Sequence, residues 1–147
     1  MEEIDRRIVS LLSRNGRMSF TELARQAGLS VSAVHQRVRR LEADGVITGY
    51  VALCDPDVIG LPLTAFVSIK PFDAAAPDDL PERLSPLTAI EACHSVAGDE
   101  NYILKVRVAS PAALEELLQQ IRGVANVSTR TTVVLSTPYE NRPPAIR

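Results

Sequence analysis

Cysteine is scarce in this chain of 147 residues, which contains only Cys54 and Cys93. The two residues lie far apart and lack the short, paired spacing of cysteines that bind metals. A disulfide bond between them is disfavoured, because we expect the chain to work in the reducing cytoplasm. We therefore predict two buried thiols that pack as small apolar side chains.

Long apolar runs are also missing, and no stretch is long enough to span a bilayer. Residues 1–5 carry neither the basic segment nor the apolar core of a signal peptide. The hydrophobic content of 46% is ordinary for a globular protein. We therefore expect a soluble, cytoplasmic protein of one domain or two small ones, with no membrane partner.

Histidine is equally rare, since the chain contains only His35 and His94. No Ser-His-Asp arrangement, pair of carboxylates or metal-ligand spacing stands out along the chain. His94 falls in the middle of an expected strand, where a histidine is more often structural or half-buried than catalytic. The sequence thus predicts no catalytic residue, no metal site and no cofactor.

Charge is distributed unevenly along the chain, although the net charge is only −2. Residues 1–50 contain eight arginines and six acidic residues, for a net charge of +2. Residues 51–147 contain eight basic and twelve acidic residues, for a net charge of −4. This asymmetry suits a protein that binds DNA with one part only. Because each neutralised phosphate adds only ~0.9 to the salt dependence, several such parts must act together, which predicts an oligomer.

The basic N-terminal part shows a pattern typical of two short helices joined by a tight turn. Ser19 is a suitable N-cap, and Glu22 three residues later predicts a capping box. Gly28 ends the first of these helices, because a residue without Cβ readily adopts the left-handed conformation at a helix C-terminus. Ser30 then caps the second helix. A preceding amphipathic helix, ending near residue 15, completes a three-helix domain through its apolar residues Ile4, Ile8, Leu11 and Leu12.

The helix after Ser30 divides into an apolar stripe and a polar face. Val34, Val38 and Leu41 recur at i, i+4 and i+7, so they share one buried stripe. The opposite face carries hydroxyl, amide and guanidinium groups, which can donate to phosphates and to base edges in a major groove. Two helices joined by a glycine turn, with such a face on the second, are typical of a helix-turn-helix. A solvated helix in an ordinary bundle is the alternative.

The side chains farthest from the buried stripe are those of Ser32, Gln36, Arg39 and Arg40, and Ala33, His35 and Arg37 flank them. Ser32, Gln36 and Arg40 are expected to approach bases, whereas Arg37 and Arg39 are expected to hold phosphates. The complete predicted DNA-binding set is Ser30, Ser32, Ala33, His35, Gln36, Arg37, Arg39 and Arg40.

The hydrophobic period changes after Gly45. The β-forming residues between 46 and 53 predict an extended strand or wing, and turn residues at 55–57 lead into a linker. Proline-rich residues at the C-terminus predict a loose tail. We therefore divide the chain into a winged helix-turn-helix domain at 1–50, a strand and linker at 51–62, a second domain at 63–137 and a tail at 138–147.

Strands and helices alternate beyond the linker. Pro81 lies where the first turn of a helix tolerates the missing N–H, and Ser110 with Pro111 begins a clearer helix. The predicted elements are strands at 64–71, 90–97, 101–109 and 127–136, and helices at 78–87 and 111–122. Their order, βαββαβ, predicts a ferredoxin-like α+β domain in which helices cover an antiparallel sheet.

Several segments are specific when they are taken together. In the first half they are Ile-Asp-Arg-Arg-Ile-Val-Ser-Leu-Leu at 4–12, Glu-Leu-Ala at 22–24, Gly-Leu-Ser at 28–30, Arg-Val-Arg-Arg-Leu-Glu at 37–42 and Gly-Val-Ile at 45–47. In the second half, Val-Ala-Gly-Asp-Glu-Asn-Tyr-Ile-Leu stands at 96–104. With these segments, nearly the whole chain resembles the Lrp/AsnC, or feast/famine, family of transcriptional regulators, whose glycine-acid-tyrosine loop matches the last of them.

The resemblance implies a regulator of the leucine-responsive type, whose assembly or DNA binding is modulated by a small molecule, an amino acid. It also implies that the C-terminal (RAM-type) domain binds this effector and holds the oligomer together. Family members pair through the sheet and the strand after the DNA-binding domain, and commonly assemble into octamers that wrap DNA. The effector residues that the resemblance carries over are Gly98, Asp99, Glu100, Asn101 and Tyr102.

The chemistry of this loop is compatible with an amino acid. N–H groups of a glycine-containing turn can receive a carboxylate, and an acidic side chain can receive an ammonium group. Asn101 stands where the family often has a second acid, which disfavours a cationic effector. Two alternatives stay open: Gly98 can serve only the φ of a hairpin loop, and Tyr102 can be either a core residue or a cover over the ligand.

Sirohaem decarboxylases resemble the same two-domain architecture, so an enzyme is the alternative function. Such chemistry would require histidine and arginine to handle propionate groups, and only His35 and His94 are present. A third possibility is an oligomer that binds small molecules and no longer binds DNA. The intact polar face between residues 32 and 40 favours the DNA-binding regulator over both.

Overall fold

The computed structural model describes residues 1–146, which separate into two compact units. Residues 1–53, together with the segment that begins at Pro138, form the first unit, here called the head unit. Cys54–Thr137 form the second, here called the sheet unit. The segment from Pro138 thus groups with the head unit, whereas the sequence predicted a loose tail. Arg147 of the predicted tail lies outside the described residues.

Three helices form the head unit: α1 (Glu3–Arg14), α2 (Phe20–Ala27) and α3 (Val31–Ala43). The predicted caps and turn are confirmed, since the Ser30 hydroxyl accepts the Ala33 N–H at 3.2 Å and Gly28 has a φ of 71°. The apolar stripes of the helices meet in one core, whose buried members are Ile8, Leu12, Leu23, Ala24, Ala27, Val34, Val38 and Leu41.

The capping box predicted at the start of α2 is only half formed. The Ser19 hydroxyl accepts the N–H of Glu22 at 3.1 Å, as expected. The Glu22 carboxylate, however, accepts hydrogen bonds from Arg25 at 2.6 and 2.8 Å and from Gln26 at 2.6 Å. The bonds from Arg25 and then Gln26 lower the pKa of Glu22 to about 2. A guanidinium one turn away therefore outcompetes the neutral N–H of the cap.

The strand predicted after α3 is not formed in the isolated chain. Residues 46–62, all of which the structure describes, contain no strand. Most of their apolar side chains are exposed, with Val51 at 85% and Leu53 at 70% exposure, whereas Ile47 packs against the head-unit core. A strand exists only where a second strand accepts and donates its backbone hydrogen bonds, and the head unit offers none to this segment.

The sheet unit has the predicted βαββαβ order. Its elements are β1 (Leu63–Pro71), α4 (Leu80–Leu84), β2 (Ile90–Ser95), β3 (Tyr102–Val108), α5 (Pro111–Ala125) and β4 (Val127–Val133). The strands lie in the antiparallel order β2-β3-β1-β4, so β1 and β3 are central and β2 and β4 are edges. The ferredoxin-like α+β fold is therefore confirmed.

The core of the sheet unit lies between one face of the sheet and the two helices. In the register, Val67 of β1 faces Leu104 of β3, and both side chains are fully buried. Leu117 and Ile121 of α5 pack against this face. Strands β1 and β3 alternate between this core and the opposite face, as a sheet covered on one side requires.

Helix α4 is shorter than the helix predicted at 78–87. Its C-cap is Ser85, which is followed by Pro86. Proline has no N–H to continue the ladder of helical hydrogen bonds, and it restricts the residue before it. The helix therefore ends at Leu84, two residues before this proline. The clearer helix, α5, begins at Pro111 behind Ser110 as predicted and continues to Ala125.

The prediction of buried thiols is wrong, because Cys54 and Cys93 are both free and exposed. Cys93 and its neighbour His94 lie on β2, an edge strand, where both side chains are exposed. His94 is thus not the half-buried residue that the sequence suggested. Edge position cannot be deduced from the local apolar pattern, which made this strand resemble a buried one.

Candidate DNA-binding face and effector cavity

The polar face of α3 is exposed as predicted. Ser32, Gln36 and Arg39 are exposed, whereas Val34 and Val38 on the other side of the helix are buried. Ser30 is exposed at the N-terminus of the helix, where its hydroxyl caps the backbone. The helix is therefore held by its apolar stripe, while its polar groups remain accessible to a macromolecule.

Arg37 and Arg40 are engaged with acidic residues of α1. Arg37 donates from Nη1 to Asp5 and to Glu2, each at 2.8 Å, and Arg40 donates from Nη2 to Asp5 at 2.9 Å. Burial raises the pKa of Asp5, but the hydrogen bonds and charges of the two arginines outweigh it and lower the pKa overall. Arg37, expected to hold a phosphate, is thus bound to two carboxylates in the free protein.

The remaining members of the predicted set differ in their accessibility. The His35 ring packs edge-on against Phe20 of α2, with 4.9 Å between ring centroids. Ala33 is half-buried beside the cap. Arg39 is exposed, and its side chain has no hydrogen bond or ion pair within residues 1–146. Arg39 is therefore the arginine of α3 whose full charge is available to a partner.

A cavity of about 570 Å³ opens in the sheet unit. The end of β1, the segment between β1 and α4, and the β2–β3 loop enclose it. Its lining is Lys70, Pro71, Phe72, Asp73, Ala74, Ala76, Pro77, Asp78, Leu80, Ser95, Val96, Ala97, Gly98, Glu100, Asn101 and Tyr102. Four of the five predicted effector residues thus lie together here, and Asp99 is exposed on the same loop outside the lining.

Tyr102 both packs in the core and lines the cavity, so neither of its two predicted roles excludes the other. Only 6% of the residue is exposed, and its hydroxyl donates to the carboxylate of Asp78. This hydrogen bond, together with burial, raises the pKa of Tyr102 to about 12. The bond ties β3 to the segment before α4, so it fixes one wall of the cavity.

The loop between β2 and β3 is held by its backbone. Asn101 donates its N–H to the carbonyl of Ile69 at 3.0 Å, and its own carbonyl accepts the N–H of Val96 at 3.0 Å. The backbone of Gly98 is not left-handed, and an added Cβ would meet no atom within 4 Å. The alternative that Gly98 serves only its φ is therefore wrong, although the space around it stays open.

The charges around the cavity include both signs. Glu100 forms an ion pair with Arg130 of β4, and only 18% of the Glu100 side chain is exposed. Lys70 and Asp73 belong to the same lining. The sequence did not indicate Lys70, near the end of β1, or Asp73 and Asp78, between β1 and α4, as lining residues. Neither the end of a strand nor an irregular connecting segment carries a pattern that predicts a cavity wall.

Residues 1–146 provide neither a metal-ligand cluster nor a membrane-spanning helix. No three histidine, cysteine, aspartate or glutamate side chains group there as possible ligands of one metal ion. No helix in this range is long and apolar enough to cross a bilayer.

Comparison with known proteins matches a described family to each of the two parts of the chain. A family described as winged helix-turn-helix DNA-binding matches residues 1–48. The Lrp/AsnC ligand binding domain matches residues 64–144. The chain belongs to the Lrp/AsnC family. The resemblance found in the sequence is thus confirmed, and this Lrp/AsnC protein is a transcriptional regulator with a DNA-binding part and a ligand-binding part.

Individual relatives support the assignment over almost the full chain. The transcriptional regulator LrpA of Mycobacterium tuberculosis is 54% identical over 142 residues, which cover 97% of this chain and 95% of LrpA. The leucine-responsive regulatory protein of Escherichia coli is 39% identical over 142 residues, covering 92% and 85%. The solved structure of a feast or famine regulatory protein from M. tuberculosis, complexed with L-methionine, is 53% identical, with a TM-score of 0.96 and 99% of both chains covered. These relatives are named regulators, not decarboxylases.

Proposed function

We propose that this Lrp/AsnC protein is an oligomeric regulator whose α3 helices read DNA and whose sheet-unit cavity binds an amino acid that modulates assembly or DNA binding. The exposed polar face of α3, opposite a fully buried apolar stripe, is the observation that carries the proposal. In this function the protein acts in the cytoplasm and performs no catalysis.

On the DNA, Ser32, Gln36 and Arg40 approach base edges and Arg39 binds a phosphate. Ser30 places the N-terminus of α3, and its unpaired N–H groups, near the backbone of the duplex. Paired head units of a dimer meet half-sites roughly 34 Å apart, or a multiple of that distance, on one face of the DNA. Arg37 is held by acids of α1, so it supports the helix instead of binding phosphate.

The cavity in the sheet unit suits a zwitterionic amino acid. Its volume of about 570 Å³ lies within the range of small-molecule sites. Lys70 and the N–H groups near Gly98 are suited to a carboxylate, and Asp73 to an ammonium group. The relative with bound L-methionine makes an uncharged amino-acid side chain the first choice to test. The proposed effector residues remain Gly98, Asp99, Glu100, Asn101 and Tyr102.

A second copy of the chain supplies the strand partner that residues 46–62 lack. Exposed apolar side chains in this segment include Val51, Leu53 and Val58, of which Val58 is 83% exposed. Burying such a segment against another copy removes apolar surface from water and satisfies its backbone groups. We therefore propose a homodimer that assembles further, to an octamer as the family does.

The proposal is tested by a salt-varied fluorescence anisotropy titration of the protein on the DNA upstream of its own gene. The titration is run with and without a mixture of amino acids. Cooperative, salt-sensitive binding that shifts with one amino acid is the expected result, and omission of single components identifies the effector. Absence of binding at moderate salt, or a preference no greater than for unrelated DNA, contradicts the function.

Two substitutions on α3 separate base reading from phosphate binding. Gln36→Ala should change the sequence preference, because it removes the amide that reads a base edge. Arg39→Ala should weaken binding to all sequences alike and lower the salt slope by about one. Equal effects of the two substitutions on every sequence would show that the roles are wrongly assigned. Circular dichroism of both variants confirms that the head unit is folded.

A further inference from the structure

A buried carboxylate lies beneath the DNA-binding face. Asp5 belongs to α1, and only 3% of it is exposed. Each of its two oxygens has a separate partner on α3, Oδ1 with Arg37 at 2.8 Å and Oδ2 with Arg40 at 2.9 Å. These partners lie 32 and 35 residues further along the chain, so the contact forms only when the helices pack.

The three arginines of α3 consequently differ in freedom. Arg37 is bound by Asp5 and Glu2, and 27% of its side chain is exposed. Arg40 is bound by Asp5 through Nη2 alone, and 53% of its side chain is exposed. The Arg39 side chain has no partner within residues 1–146. Arg37 is thus neutralised by acidic residues, Arg40 is held in one orientation, and Arg39 is unpaired among the described residues.

The arrangement of Arg40 suits a base-reading arginine. A guanidinium has five N–H donors in a fixed plane, and the single bond to Asp5 leaves Nε and Nη1 available. A carboxylate that holds one edge of this plane restricts its rotation before any DNA is bound. The orientational entropy that a flexible arginine loses on contact with a base is therefore already lost in the free protein.

The arrangement of Arg37 has the opposite effect on unspecific binding. Phosphates attract any accessible cation, and this attraction supplies most of the affinity for DNA of arbitrary sequence. A guanidinium bound to two carboxylates contributes little to that attraction, because its charge is compensated within the protein. Asp5 and Glu2 therefore reduce the charge that the head unit offers to arbitrary DNA.

We propose that Asp5 is a positioning residue that determines DNA specificity, by orienting Arg40 towards a base edge and withholding Arg37 from phosphates. This inference rests on the proposed function, in which α3 enters the major groove. It assigns a role in sequence discrimination to a residue that itself does not touch DNA.

The test compares two charge-matched substitutions in the full chain, Asp5→Asn and Glu3→Gln. Both remove one negative charge from α1, but the Glu3 side chain is 96% exposed and lies 3.8 Å from Arg6, not from α3. Affinities are measured by anisotropy at several salt concentrations, for the DNA upstream of its own gene and for a shuffled duplex of the same composition. The readouts are the ratio of the two affinities and the salt slope on shuffled DNA.

Asp5→Asn should lower the affinity ratio roughly tenfold, the size of one lost base-reading contact, and raise the salt slope on shuffled DNA by about one. Glu3→Gln should leave the ratio unchanged, because added positive charge strengthens binding to both duplexes alike. Equal ratios for the two variants overturn the inference. If the wild-type protein itself shows no preference for its upstream DNA, the proposed function fails instead.

If Asp5→Asn does not fold, Arg37→Gln provides a second test. This substitution removes the guanidinium of Arg37 and leaves the hydrogen bond between Arg40 and Asp5 in place. This variant should bind shuffled DNA with an unchanged salt slope, whereas Arg39→Gln should lower that slope by about one. If both substitutions lower the salt slope on shuffled DNA equally, Arg37 also binds phosphate. The proposal that Asp5 keeps Arg37 from phosphates is then wrong.

Discussion

The two units bury their polar groups in different ways. The head unit buries a carboxylate, Asp5, between two guanidinium groups that also face outward on α3. The sheet unit buries the aromatic ring of Tyr102 and ties its hydroxyl to Asp78 at the rim of a cavity. In both units the polar contact joins the core to the surface that we propose as a binding site. Internal packing and ligand recognition are therefore not separable in either.

The units also differ in the size of their cores. Among the described residues, eight buried side chains form the core of the head unit and fourteen form that of the sheet unit. A small core loses a larger fraction of its stabilisation when one side chain is removed. The head unit should consequently be the first part of the molecule to unfold. Its ion pairs should contribute a larger fraction of its stability than ion pairs contribute to the sheet unit.

The largest expected effect comes from Leu23→Ala in the head unit, with Leu104→Ala in the sheet unit as its match. Both leucines are fully buried, so each substitution should cost about 2–5 kcal/mol of the free energy of unfolding. Differential scanning calorimetry should show Leu23→Ala moving only the earlier transition, with loss of DNA binding. A single transition that moves equally for both variants would show that the units do not unfold independently.

A smaller effect is expected from the helix caps Ser30 and Ser110. Their hydroxyls accept the N–H groups of Ala33 and Ala113 at 3.2 and 3.1 Å, so the two caps are nearly equivalent in geometry. Substitution of either serine by alanine should cost ~1 kcal/mol of stability in its own unit. Only Ser30→Ala should also weaken DNA binding, measured by anisotropy. Equal DNA affinity for both variants would remove Ser30 from the DNA-binding set.

The smallest effect is expected in the pH dependence of stability. The pKa of Asp5 is lower in the folded state than its ordinary value of 3.8, so Asp5 stabilises the head unit above that value. This contribution is lost as the pH falls below 3.8. The pKa of Tyr102 is raised from 10 to about 12, so its contribution to the sheet unit is present below pH 10 and is lost between pH 10 and 12.

Thermal unfolding followed at pH 7, pH 3 and pH 11 measures these two contributions. Acid should lower the transition of the head unit more than that of the sheet unit, and Asp5→Asn should reduce this difference. Tyr102→Phe should make the sheet unit less sensitive to base. An acid response that is unchanged in Asp5→Asn would show that other carboxylates determine it.

Local sequence patterns were sufficient for most of the fold. The stripe of Val34, Val38 and Leu41, and the caps at Ser30 and Ser110, depend on neighbours within one or two turns. Because such contacts join residues that are close in sequence, the spacing of residue types is enough to predict them. The alternation of strands and helices in the sheet unit was predicted for the same reason.

Contacts between distant segments were not predicted. The capture of Arg37 by Asp5 spans 32 residues and depends on how α1 crosses α3. The exposure of Cys93 depends on the place of β2 at the edge of the sheet, which the strand's own residues do not determine. The wall formed by Asp73 and Asp78 lies in a segment without periodicity. In each case the feature depends on a segment that is distant in sequence, and the local residue pattern does not show which segment that is.

The two exposed thiols have a practical consequence. Cys54 and Cys93 are the only cysteines of the chain, and both are free at its surface. Thiol-reactive dyes can therefore be attached to the natural sequence without engineering. Burial and the nearby Glu82 raise the pKa of Cys93, so labelling at this position accelerates as the buffer becomes more alkaline. Cys93, which lies outside the segment at 46–62 that we propose to be buried between copies, is thus an attachment point for fluorescence measurements of assembly.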